Sequence, residues 1–249
     1  MSDQRSFDPT TVPVKPAATV MLIRDIAGEP GVEVFMLRRT LAAVFGSGMY
    51  VFPGGKVEGA DGDDVERAHR LAAIRECFEE AGVLLATAAA TGEHIADGHP
   101  ALAHRDAIHD GTAELLALCA EHDLVPTIEE LAWVSHWITP VGEPRRFDTR
   151  FYLAPAPPEQ TSVHDDNETI ASFWTRPAEA LQRQAAGELT MMPPTIKNLQ
   201  FLAGFASVAE AMAHAATMPP PDCILPKVVV RDGQIRGVLL PGEPGYDDL

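Results

Sequence analysis

Cysteine is scarce: only Cys77, Cys119 and Cys223 occur in 249 residues, an odd number at unrelated spacings. Neither a disulfide framework nor a CxxC zinc site is indicated, so reduced and mostly buried thiols are expected. Basic residues are also few, 19 Lys and Arg against 36 Asp and Glu, for a formal net charge of −17. That deficit argues against nucleic acid or an anionic membrane as the main partner, since both are bound largely through clustered Lys and Arg. A small polyanion is not excluded, because metal ions and a few arginines can meet its charge locally. No apolar run approaches the length of a membrane span, and the polar start Met1-Ser2-Asp3-Gln4-Arg5 lacks the regions of a secretory signal. What is present is enough hydrophobic side chain, 46%, for a sizeable core. One domain with insertions is the expected organisation.

The most informative stretch is Arg75-Glu76-Cys77-Phe78-Glu79-Glu80-Ala81-Gly82-Val83, preceded by Phe52-Pro53-Gly54-Gly55-Lys56. On a helix turning about 100° per residue, Glu79 and Glu80 follow Glu76 by three and four positions, so the carboxylates share one face. Ile74, Cys77, Phe78 and Ala81 fall on the other face and can bury it. Gly82 follows as a helix stop, since glycine carries no penalty in the left-handed conformation that ends many helices. Arg75, one turn before Glu79, can brace it. Carboxylates this close repel one another, and a hard divalent cation with oxygen ligands, Mg²⁺ or Mn²⁺, relieves the conflict. Such an ion bridges to phosphates and lowers the pKa of a bound water. Taken alone, the same residues also describe a solvated acidic helix face.

Together these residues resemble the signature of the Nudix hydrolases: Gly, five residues, Glu, seven residues, then Arg-Glu-U-x-Glu-Glu-x-Gly-U, where U is a bulky aliphatic residue. Gly55 opens it and residues 75 to 83 complete it, with Cys77 replacing the first aliphatic residue. The departure lies between the halves, where the acidic loop of residues 58 to 66 exceeds the usual length. Glu58, Asp61 and Asp64 are all open as counterparts of the first signature Glu. Phe35-Met36-Leu37-Arg38-Arg39-Thr40, Val51-Phe52-Pro53-Gly54-Gly55, Trp137-Ile138-Thr139-Pro140 and Arg145-Arg146-Phe147-Asp148-Thr149 look like the acyl-coenzyme A diphosphatase branch. That similarity runs over residues 17 to 205. A related coenzyme A signature continues Arg-Ser with another basic residue; Arg39-Thr40 fits its start, whereas residues 41 to 44 supply no base.

The resemblance implies an α/β (α+β) fold, a Nudix-type α/β/α sandwich with a mixed sheet. Composition and local pattern give an N-terminal arm (residues 1 to 16) and a single domain over residues 17 to 249, with a helical insertion at about 84 to 131 and a C-terminal helix plus hairpin at about 194 to 249. Mg²⁺ or Mn²⁺ would be held by Glu76, Glu79 and Glu80, with Arg75 orienting them and a base drawn from Glu80, Glu79 or, outside the signature, Glu168. Arg39, Gly54, Gly55, Arg145 and Arg146 are the expected substrate contacts, the glycines for close backbone approach and the arginines for a bidentate grip on phosphate. The expected substrate is a small nucleoside diphosphate derivative, coenzyme A or acyl-coenzyme A, cut at the diphosphate by water attack on phosphorus. The same signature serves enzymes acting on ADP-ribose, NADH or dinucleoside polyphosphates. A non-catalytic sensor retaining the fold is a third reading, although a binding module has no need of a water-activating cluster. A homodimer is a common arrangement in the family. Peroxisomal members of the branch are expected to carry a Ser-Lys-Leu-like terminus that Asp247-Asp248-Leu249 does not match, so a cytoplasmic setting is expected.

Local patterns add strands at residues 17 to 24, 32 to 38, 49 to 52, 133 to 139, 147 to 153 and 170 to 174. The signature helix is expected from 63 or 64 to 81 behind an aspartate N-cap. Alanine-rich residues 84 to 90, then 113 to 121, read as helical, as do 177 to 184 and one continuous segment from 195 to 215. Residues 227 to 240 read as a closing hairpin. His94, His99, His104 and His109 recur every five residues, a period matching neither a helix face nor zinc-ligand spacing, and are expected to be solvated.

Overall fold

The protein was analysed as a computed structural model that describes residues 11–41, 46–165, 168–231 and 234–249. Its centre is a mixed sheet. Strand β1 (Val14–Asp25) hydrogen-bonds in parallel along β8 (Arg146–Pro155), and antiparallel to β2 (Val32–Arg39) at its end and to β4 (Gly54–Lys56) nearer its start. β8 continues antiparallel to β7 (Ala132–Ile138), while β2 carries β3 (Tyr50–Val51) and β9 (Thr169–Thr175). The short β10 (Cys223–Ile224) closes the β7 edge in parallel. Much of the expected N-terminal arm lies outside the described residues, and β1 already begins at Val14.

β1 is buried on both faces, which is why its central residues read as a nearly unbroken apolar run. Ala18, Val20 and Leu22 pack into one core cluster with Leu71, Ile74 and Phe78 of helix α1 (Val65–Ala81). Met21 and Ile23 enter a second cluster on the other face. There they meet α4 (Pro177–Ala185), α5 (Pro193–Leu202) and α6 (Val208–Thr217) through Ala180, Leu199 and Ala211. Helices on both faces of a mixed sheet make the α/β/α sandwich that the resemblance implied. Each large apolar side chain so buried contributes roughly 1.5 to 3 kcal/mol.

Helix α1 starts and stops on readable signals. Asp64 accepts a hydrogen bond from the Arg67 amide as N-cap, and Gly82 takes φ 71° with its N–H donating to the Phe78 carbonyl. The insertion differs from expectation. Residues 86 to 88 form β5 (Ala86–Ala88), paired antiparallel with β6 (Leu124–Pro126), where alanine content had pointed to helix. Between them lie α2 (Arg105–His109) and α3 (Leu115–Glu121), and Ile108, Leu115 and Leu118 join the α1 core cluster. The segment at 195 to 215 is likewise two helices rather than one. The chain turns at Gly204, and Ser207 caps α6 by accepting from the Glu210 amide. The closing hairpin forms as β11 (Lys227–Arg231) and β12 (Gln234–Leu239), with its tip outside the described residues.

Candidate active site

Where α1 passes β4, its last turns meet the Gly54-Gly55 backbone. Glu79 and Glu80 are buried, Glu80 with only 2% of its surface exposed, which rules out the solvated acidic face. Glu80 accepts a hydrogen bond from the Gly54 amide at 2.9 Å. Gly55 leaves room for a carboxylate: a Cβ there would stand 2.3 Å from Oε1 of Glu76, which would have to shift.

Arg75 binds the site together. Its Nη1 donates to Glu76 at 3.0 Å and to Glu79 at 3.1 Å, and its Nη2 donates to the Lys56 carbonyl at 2.7 Å. Nε and Nη2 reach the two carboxylate oxygens of Asp61 at 3.1 and 3.2 Å. Asp61 stands six positions after Gly55, the signature's own spacing to its first Glu, and so fills the place that Glu58, Asp61 and Asp64 had shared. The extra residues of this chain all follow it. The spacing was the signal that identifies Asp61, and the change from Glu to Asp hid it.

Burial dominates the electrostatics. It pushes the Glu76 carboxyl up to about 8, against the neighbouring Arg75 charge and with Glu79 adding repulsion. Burial also raises Glu79, opposed by Arg75. Glu80 is raised well above the usual carboxylate range by burial and then by Glu76, despite Arg39 and the Gly54 amide. For Arg75, burial works against the charge, but the bond to Asp61 and the fields of Glu76, Asp61 and Glu79 hold its pKa above the ordinary value. Burial and mutual repulsion thus both oppose full ionisation of the three glutamates, and a cation would offset both. The donor set is all oxygen, the chemistry that a hard divalent ion takes, although among the described residues no three acidic, histidine or cysteine side chains are gathered closely enough to hold an ion as they stand.

A cavity of about 1000 Å³ opens over the cluster, lined by Arg75, Glu76 and Glu79 together with Arg39, Gly54, Gly55, Arg145 and Glu168. Arg39 lies 3.8 Å from Glu80 and 3.6 Å from Glu168, linking a signature carboxylate to the one outside it. Arg39 Nε is buried with no hydrogen-bond partner among the described residues. Glu80 stands behind Gly54 rather than at the cavity surface. Arg146 begins β8 and spends its Nε on the Thr139 carbonyl at 3.0 Å, outside the cavity lining. Of the insertion histidines, His94 lies 3.2 Å from Glu130, and His109 lines the cavity near Glu79 instead of being simply solvated. It is placed by Arg105, one turn earlier, whose Nε donates to the Glu79 carbonyl at 2.8 Å.

Residues 62–202, more than half the chain, match the NUDT19 Nudix domain. The chain belongs to the Nudix hydrolase family. Among curated relatives of this Nudix protein, the acyl-coenzyme A diphosphatase NUDT19 of Gallus gallus is 29% identical over 305 residues, covering 93% of this chain and 79% of the relative. The human protein of the same name is 33% identical over 192 residues, 72% of this chain and about half, 51%, of the relative. A solved Nudix hydrolase from Alicyclobacillus acidocaldarius is 28% identical with a TM-score of 0.74, covering 82% of this chain and 97% of that one.

Proposed function

We propose that this Nudix protein is a divalent-cation-dependent diphosphatase that hydrolyses coenzyme A or acyl-coenzyme A to adenosine 3′,5′-bisphosphate and (acyl-)phosphopantetheine. The observation that carries the reading is the shared cavity, which Glu76 and Glu79 line together with Arg39 and Arg145. A diphosphate needs both kinds of group. The names of the NUDT19 relatives support the coenzyme A type of substrate.

In this reading Glu76, Glu79 and Glu80 would hold Mg²⁺ or Mn²⁺, which would supply charge neutralisation at the phosphates and make water a stronger acid there. Arg75 keeps Glu76 and Glu79 in register and leaves none of its own donor groups for substrate. Arg39 and Arg145 take anionic oxygens, and Gly54 and Gly55 let the backbone approach. Glu79 and Glu168, which line the cavity, would accept the water proton, with Glu80 linked to Glu168 through Arg39. Arg146 acts on the substrate only indirectly, by holding the turn that carries Arg145.

A single domain in the cytoplasm is part of the same proposal. The free thiols of Cys77, Cys119 and the exposed Cys223 fit a reducing compartment, and no helix among the described residues is long and apolar enough to cross a membrane. Product analysis by mass spectrometry with coenzyme A, acyl-coenzyme A, NADH and ADP-ribose, in Mg²⁺ or Mn²⁺, tests the reading. Release of adenosine 3′,5′-bisphosphate from the coenzyme A compounds is the expected result. Turnover of NADH or ADP-ribose alone would keep the chemistry and reject the substrate.

A further inference from the structure

The cavity does not stop at the carboxylates. Its floor is the sheet face on which Ala17 and Thr19 of β1 look away from α1. Strand pairing sets Lys56, Ala17, Thr149 and Trp137 in one row across β4, β1, β8 and β7, and all four line the cavity. At the spacing of neighbouring strands the row is about 14 Å long. Its chemistry changes along the way. Lys56 follows directly on Gly55, whose backbone meets Glu76, and its carbonyl takes a bond from Arg75, whereas Pro226 and Val238 also line the cavity, Pro226 two residues after the Ile224 that pairs with Trp137, and Val238 opposite Val228, two residues further on.

Those wall residues come from the chain beyond α6, outside the residues 62–202 that match the family. The segment is fastened to the sheet. Cys223 and Ile224 of β10 pair with His136 and Trp137 of β7. The Tyr246 hydroxyl donates to the Leu225 carbonyl at 2.7 Å, and Lys227 Nζ donates to the Tyr246 carbonyl at 3.0 Å, so Pro226 lies between anchored neighbours. Val238 faces the cavity from β12, paired with Val228 of β11.

We infer that this C-terminal segment forms the pocket for the apolar end of the substrate, and that Val238 and Pro226 select which acyl groups are accepted. The inference rests on the coenzyme A reading above. With the diphosphate at the Glu76 end, an extended pantetheine arm of roughly 15 Å, at the reach of a peptide-like chain, covers the row and delivers its sulfur near Trp137. An acyl chain continues from there onto Pro226 and Val238. Each methylene it buries raises kcat/KM by about threefold or more. Free coenzyme A ends in a thiol and leaves the wall uncovered.

The test is kcat/KM of the full chain for coenzyme A and its acetyl, hexanoyl and decanoyl thioesters, in the wild type, Val238→Leu, Val238→Glu and Val238→Trp, with melting temperature as the check on folding. The wild type and Val238→Leu are expected to gain at least tenfold from acetyl to decanoyl. A carboxylate in the wall should flatten the series, and the bulkier Val238→Trp should move the best substrate to a shorter chain. The second of these keeps the test decisive where the glutamate variant does not fold. A flat wild-type series, or a rise that the folded variants leave untouched, overturns the inference while coenzyme A cleavage stands. A wild type that turns over no coenzyme A compound at all rejects the function itself and this inference with it.

Discussion

Arg75 and Asp61 meet through two hydrogen bonds, Nε to Oδ1 at 3.1 Å and Nη2 to Oδ2 at 3.2 Å, with both side chains almost fully buried. Breaking a buried pair costs about 3 to 5 kcal/mol where the other charge is left uncompensated, and because Arg75 keeps Glu76, Glu79 and the Lys56 carbonyl the loss here should fall below that. Asp61→Ala is therefore expected to lower the urea midpoint and, by loosening Arg75, to reduce kcat/KM. Unchanged unfolding of this variant would show that Arg75 is held adequately by Lys56, Glu76 and Glu79 alone.

Glu80→Gln keeps the shape of the side chain and can still accept from the Gly54 amide. It removes one charge that burial already opposes. Turnover should fall on the order of a thousandfold, while the metal-free protein melts at the same temperature or higher. Near-normal turnover by the purified variant would remove Glu80 from the mechanism.

Gly55→Ala would place a methyl group 2.3 Å from the Glu76 carboxylate, so that carboxylate must move. A displacement of about 1 Å in a catalytic group can cost on the order of a hundredfold in rate. The expected pattern is weaker Mn²⁺ binding by calorimetry and a loss of that size in kcat/KM. Equal metal affinity in variant and wild type would count against Glu76 as a ligand.

Folding lifts the Glu76 pKa from the ordinary 4.5 to about 8, chiefly by burial. The folded chain thus keeps a proton that the unfolded chain releases, so this stabilisation is fully present below about pH 4.5 and is lost as the pH rises through 8. The metal-free protein should melt at progressively lower temperature over that window. Added Mg²⁺ or Mn²⁺ should raise the melting temperature more at pH 8 than at pH 6, because it competes with fewer protons. A metal effect that is independent of pH would disprove the linkage.

Much of the fold and the carboxylate cluster could be read from sequence, because the signals there are local. Asp64 and Gly82 mark the ends of α1, and the spacing of Glu76, Glu79 and Glu80 fixes their common face. β5 was not readable, because alanine favours helix and the strand exists only through a partner some forty residues away, at residues 124 to 126. The break before α6 did leave a trace, a serine at position 207 with a glutamate three residues on, but the apolar periodicity on either side masked it. His109 carried no signal at all. Its place on the cavity wall depends on Arg105 reaching a backbone carbonyl of another helix, and no spacing records that contact.

Glu76, Glu79 and Glu80 occupy the final turns of α1, and no basic side chain belongs to its last turn. The aligned peptide dipoles of a helix leave about half a negative charge at that end. The Arg105 guanidinium, whose Nε donates to the Glu79 carbonyl, offsets part of that pole, and the remainder would add to the pull of the carboxylates on a cation. Substituting any one carboxylate leaves that negative pole in place, so such variants should attract divalent ions weakly even where they no longer position them for chemistry.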